Sequence, residues 1–288
     1  MKHRADAGFA LVMAMIAAGL FAGLSLFVVR ANMGDAAVVQ ARLERARLDA
    51  AADAGLMMAL HGLGMGERAN RWSMDGTARQ IRFDGLVLTI AVEDERGKVP
   101  INSADEDTVR RLLAGAGVQG RQLDGLVAAI LDWIDVDNNT RLNGAEAAAY
   151  AALGAEIGPR NGKIRTIDEL RHIRGMTPDI LARIAPSLTL FFGEPGTFNR
   201  KTATPLAAMA MLGVSEHSVE VLARERDRAG GAKTALEITD DPSPVGRPLT
   251  IRVQAESPTG GRVVHATVAQ LTGNRARPFR VRAHRQEM

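Results

Sequence analysis

The run Phe9–Val29, FALVMAMIAAGLFAGLSLFVV, holds 21 residues without a charge. About 20 apolar residues span a bilayer as a helix, so the segment is long enough to cross one. It obliges the chain to bury it in lipid or against other helices. Lys2 and Arg4 precede it, an arrangement that favours a cytoplasmic N-terminus and carries the remainder across the membrane. The run ends in Val28, Val29, Arg30, Ala31 and Asn32, a poor cleavage site for an ordinary secretory signal. A Gly8–Phe9 junction stands in front of it instead, behind a basic leader at residues 1–8. Within the run, Ala17, Ala18, Gly19, Ala22 and Gly23 offer small residues for close helix approach.

Beyond Arg30 the pattern stays helical while charges appear, among them Arg42, Glu44, Arg45, Arg47, Asp49 and Asp53. Alanine is abundant and no proline occurs before Pro100, which predicts one helix from Phe9 to about residue 62, closed by Gly62, Gly64 and Gly66. Residues Gln80–Val92 alternate polar and apolar positions, the mark of strands. From Glu106 to Ala185 the pattern is helical, and Thr202–Arg228 reads as two further helices. Pro248–His284 then predicts three strands, with turns at Pro258–Gly261 and Gly273–Arg277. The expected class is α+β. A long N-terminal helix leads into a core with an antiparallel sheet, divided between residues 63–101 and 191–288, and a large all-α domain is inserted at residues 102–190.

The most specific chemical signal is DWIDVDNNTRLNGAE, Asp132–Glu146. Counted from Asp135, the series Asp135, Asp137, Asn139, Arg141, Asn143 and Glu146 falls at places one, three, five, seven, nine and twelve. That is the ligand spacing of an EF-hand calcium loop. Leu142 at the eighth place is expected to tuck inward, while Thr140 stands where such loops carry glycine. Without a cation, Asp135, Asp137 and Glu146 would repel one another where two helices converge. Calcium is therefore the expected cofactor, with Trp133 and Tyr150 as core residues beside the loop.

Other chemistry is sparse. With no cysteine, thiol catalysis, disulfides and Cys-ligated metals are excluded. The six histidines show no zinc spacing, and neither a G-x-S-x-G elbow nor a P-loop occurs, so no enzyme is expected. A loose repeat places Asn102, Ala104, Leu112, Gly115 and Gly117 in one copy and Asn199, Ala203, Leu206, Leu212 and Gly213 in another, with a half-copy at Leu170–Met176. These read as helix–hairpin–helix elements, which can hold phosphates. The net charge is only +3 and basic residues do not gather at the hairpins, so nucleic acid is not the expected partner. A membrane-anchored DNA-binding protein using these hairpins is the alternative reading.

The Gly8–Phe9 junction resembles the prepilin signal of type IV pilins and type II secretion pseudopilins. In that family a prepilin peptidase cuts between these two residues and methylates the new N-terminus, leaving the apolar segment on the mature chain. The family's usual glutamate at the fifth mature position is Met13 here, a loss typical of the K-type minor pseudopilin. The same family's DWxDxD…GAE…Y stretch is matched by Asp132, Trp133, Asp135, Asp137, Gly144, Ala145, Glu146 and Tyr150. The resemblance implies a pilin-like core, calcium in the inserted α-domain, and a tip position on a periplasmic pseudopilus. It also implies partnership with I- and J-type minor pseudopilins, with the prepilin peptidase and with the inner-membrane platform. The implied location is a single pass through the bacterial inner membrane, with the C-terminal domain in the periplasm.

Overall fold

The computed structural model describes residues 5–65, 70–193, 197–215, 217–218 and 243–287. Helix α1, Ala5–Gly64, begins four residues before the expected Phe9 and so includes the last residues of the leader. Its two halves behave differently. The described side chains of Phe9 and residues 11–27 are all exposed. Farther along, Leu48, Ala51, Ala52, Ala59, Leu60 and Leu63 are buried, one stripe at helical spacing. Among the described residues no helix is long and apolar enough to cross a membrane. The 21-residue run is described only in part, because the side chains of Ala10, Val28 and Val29 lie outside the described set.

The stripe on α1 lies against a sheet. Strands β1 (Arg79–Phe83) and β2 (Leu86–Asp94) form a hairpin closed by Asp84 and Gly85, both at positive φ (50° and 74°). Such a two-residue turn matches the twist of the strands it joins. On β2 burial alternates strictly, and Leu86, Leu88, Ile90 and Val92 face the core. Strands β3 (Val99–Pro100) and β4 (Leu188–Thr189) form a separate parallel pair. Strands β5 (Pro248–Glu256), β6 (Arg262–Asn274) and β7 (Arg277–Glu287) complete an antiparallel sheet of order β1-β2-β5-β6-β7. Helix α1 approaches so closely that a Cβ on Gly55 would come within 2.6 Å of Val253 Cγ1.

A second core lies between the two strands of the β3–β4 pair in sequence. Helices α2 (Glu106–Gly115), α3 (Gly120–Ile134), α4 (Ala147–Ala152) and α5 (Pro178–Ile184) enclose Leu112, Leu113, Leu126, Ile130, Trp133, Leu170 and Ile180, with a 3-10 turn at Ile167–His172. Asp105 caps α2 by accepting from the Thr108 amide at 2.8 Å.

Helix α6, Pro205–Leu212, follows the β3–β4 pair in sequence. It packs on α2, buries Ala207 and Ala210 in the helical core, and receives Arg111 Nε on the Ala210 carbonyl at 2.7 Å. A short Ala-rich helix cannot bury its apolar surface alone, and Gly115 on α2 leaves room for Leu206 and Met209. Most of the second helix expected before Arg228 lies outside the described residues.

Two polar joints connect the regions. Buried Asp94 accepts from Arg247 Nη1 at 2.6 Å and Asn199 Nδ2 at 3.0 Å. Buried Glu95 holds Lys98 Nζ at 2.7 Å and Thr250 Oγ1 at 2.6 Å. The asparagines of the sequence repeat thus act as clamps. Asn102 likewise binds both the carbonyl and the amide of Ile164, at 2.9 and 2.7 Å.

Candidate metal centre in the helical domain

The acidic segment leaves the C-terminal end of α3 and enters α4, and its hub is a residue that the EF-hand count omits. Asp132 is fully buried. It accepts from the Ala145 amide at 2.8 Å and from Arg141 Nη1 at 2.8 Å. Gly144 fits because a Cβ there would run into the Asp132 carboxylate. The signal for Asp132 was a carboxylate among Leu131, Trp133 and Ile134, on a helix whose neighbours are core residues.

The predicted ligands divide into two groups. Asp135 is half-buried, its Oδ2 pairs with Arg141 Nη1, and its Oδ1 is buried with no partner. Glu146 is 4% exposed, and neither of its carboxylate oxygens has a hydrogen-bond partner. Burial, together with the charges of Asp132, Asp135 and Asp137, raises its pKa above the usual carboxylate range. By contrast Asp137, Asn139 and Asn143 are exposed. Asp137 Oδ1 accepts the Asn139 amide at 2.7 Å, a local Asx turn. The Arg141 carbonyl accepts the Gly144 amide at 2.8 Å.

One EF-hand expectation therefore fails: Leu142 is 89% exposed rather than tucked inward. Thr140, which stands where such loops carry glycine, does not take positive φ; Asn143 does, at 66°. Arg174 Nη2 fixes this form of the loop by binding the Asn143 and Gly144 carbonyls at 2.8 and 2.9 Å. Asn161 Nδ2 holds the other limb at the Asp137 carbonyl, 2.8 Å away. Among the described residues no three His, Asp or Glu side chains stand together as a ready metal cage. Arg141 is the guanidinium that reaches Asp132 and Asp135, and Glu146 keeps a buried carboxylate without hydrogen bonds beside them.

Beneath the loop the core is satisfied. Trp133 and Tyr150 are buried and meet edge-to-face at 5.5 Å. Trp133 Nε1 donates to Glu169 Oε1 at 2.9 Å, and Arg160 and the Arg165 amide also bind that carboxylate. Burial alone would raise the Glu169 pKa, but these donors outweigh it and hold the group below its usual value.

On the sheet side, the histidines are less scattered than their spacing suggests. His265 is buried against α1, with Nε2 3.0 Å from Asp49 Oδ1 and Nδ1 3.6 Å from Asp53 Oδ1, and its ring meets His284 edge-on at 5.1 Å.

Residues 85–193 match the family model "Type II secretion system (T2SS), protein K". That stretch covers β2, the helical domain and the acidic loop. A type II secretion system protein K of Pectobacterium carotovorum is 28% identical over 189 residues, 58% of this chain and 56% of that protein. The protein K of Klebsiella pneumoniae is 30% identical over 129 residues, 45% of this chain and 39% of its own length. The matched segments thus span between about two fifths and a little over half of these relatives. In shape, the chain superimposes on a chain from the crystal structure of the GspK–GspI–GspJ complex of enterotoxigenic Escherichia coli. The TM-score is 0.63 at 12% identity, covering 87% of this chain and 99% of that one.

Proposed function

We propose that the chain is a member of the type II secretion system protein K family and serves as a non-enzymatic minor pseudopilin at the tip of a periplasmic pseudopilus. The observation that carries this reading is the family match over residues 85–193, together with an α1 whose described side chains between Phe9 and Phe27 are all exposed. An apolar helix exposed along its length needs lipid before assembly and neighbouring helices after it. The bulky helical domain would crowd a subunit stacked above it, which suits the end of a filament better than its shaft. I- and J-type minor pseudopilins are the proposed partners, since the solved structure of similar shape is a complex of GspK with GspI and GspJ.

In this reading Phe9–Val29 inserts into the inner membrane with the N-terminus cytoplasmic. The prepilin peptidase then cuts at Gly8–Phe9, and the inner-membrane platform extracts the subunit. Mass spectrometry of the chain co-expressed with an active prepilin peptidase tests the assignment. The expected species begins with N-methylated Phe9, and an intact Met1 would overturn it.

Calcium is the proposed cofactor of the acidic loop. Asp135 and Glu146, with their buried and unpartnered oxygens, would hold it together with Asp132, and Asp137, Asn139, the Arg141 carbonyl and Asn143 are the outer candidates. A hard divalent cation would supply the positive charge that Glu146 lacks and would add to the one that Arg141 gives Asp132 and Asp135. The chain's own contribution is to hold them in place through Arg174, Asn161 and the Gly144 turn. The role is structural: it ties a loop to the folded state as a disulfide does elsewhere.

A further inference from the structure

We propose that the outer edge of β7 is a docking site for an extended, acid-rich segment of a partner protein, added as a sixth strand. The proposal stands independently of the secretion reading. Four observations lead to it. β7 closes the sheet at one end, and among the described residues no strand pairs with its outer side. At 11 residues it is long for an edge, whereas the opposite edge, β1, has 5. No residue of β7 is fully buried, although Phe279 packs on the sheet core and Gln286 reaches His265 and Asp49. Arg275, Arg277, Arg280 and Arg282 lie along this strand and its turn, and among the described residues none forms an ion pair; Arg285 is held by Glu287 at 3.0 Å.

An open edge offers a row of free amides and carbonyls, which any extended segment can use. The arginines decide which segment. A second copy of this chain would bring β7 against β7 and set arginine against arginine, so self-pairing is disfavoured. An acidic strand is favoured by the same charges. Its apolar positions would find Val281, 48% exposed, next to the half-buried Phe279. The bulge at Arg282, between the pairs Val268–Ala283 and Ala269–Val281, twists the edge locally and sets the register such a strand must meet. Nucleic acid suits the surface less well, because among the described residues of β7 Phe279 is half-buried and packed on the sheet core and leaves no exposed Phe, Tyr or Trp as a stacking platform.

Fluorescence anisotropy on the full chain in detergent tests this with a labelled peptide of alternating glutamate and valine. The peptide is expected to bind more weakly as salt rises and to lose about tenfold or more in affinity against the Arg280→Glu/Arg282→Glu variant. On the unaltered protein, a peptide with proline at the valine positions keeps its charge but loses alternate amides, and it is expected not to bind. Absence of binding by the first peptide would overturn the proposal. So would equal binding by the proline peptide, unchanged affinity in the double variant, or a short DNA duplex that displaces the peptide at lower concentration.

Discussion

The sheet region and the helical domain are each built around a buried core of similar residues, yet they solve the problem of buried charge in opposite ways. Under α1 the core is almost wholly aliphatic, from Leu88 and Ile90 to Ile251 and Val253, and the buried carboxylates at its margin, Asp94 and Glu95, each meet a cation and a further donor. In the helical domain Glu169 is satisfied in the same manner, but Glu146 and one oxygen of Asp135 are not. A buried carboxylate without partners is costly, and the proposed calcium would offset that cost in the helical domain.

The largest effect separating the two regions should come from Trp133→Ala. Removing this fully buried ring should cost about 3–5 kcal/mol, concentrated in the helical domain, whereas Ile90→Ala should cost about 2–5 kcal/mol in the sheet region. Denaturant unfolding followed by hydrogen exchange would assign each loss to its region. Equal loosening of both regions by Trp133→Ala would erase the distinction.

Next in size is Glu169→Gln, which replaces a carboxylate held by Arg160, Trp133 and the Arg165 amide. Because the folded-state pKa of Glu169 is depressed, its contribution is present above the unfolded value near 4.3 and disappears as pH falls through the lower folded value. At neutral pH the variant should lose about 1–3 kcal/mol. The gap from the parent should close on acidification, as pH-dependent melting curves would reveal. A gap that widens in acid would contradict the assignment.

Gly85→Ala probes the sheet side at about 1–2 kcal/mol, since alanine resists the φ of 74° that the hairpin requires. It should not alter any response to calcium.

The smallest effect is the most diagnostic because its sign should change. With a chelator present, Glu146→Gln removes an unpaired buried charge and should stabilise the chain by about 1 kcal/mol. In calcium the same substitution should destabilise it. Melting temperatures of parent and variant under both conditions decide this, and a change of one sign in both would count against a metal role for Glu146.

The two regions also differed in how readily the sequence disclosed them. Strand β2 was visible because one buried face forces alternation, β5 and β6 because β-branched residues stand between turn signals, and α1 because alanine runs without proline leave few alternatives. Acidic spacing located the loop, since carboxylates at alternate positions leave a mark that needs no tertiary knowledge. The shape of the loop was hidden. Leu142 turns outward because Arg174 and the Asp132–Ala145 contact hold the backbone in another course, and both partners come from outside the counted ligands. Docking of α6 on α2, the pairing of Val99 with Leu188, and the approach of His265 to Asp49 and Asp53 depend on residues far apart in sequence. No local pattern encodes such pairs.

Hydrogen exchange on the full chain in detergent, with calcium and with chelator, tests the central contrast most directly. The account predicts that chelation exposes the amides of residues 132–150 and the adjoining part of α3, while β2, β5 and β6 keep their protection. Unchanged exchange in the loop, or equal loss of protection in the loop and in those strands, would contradict it.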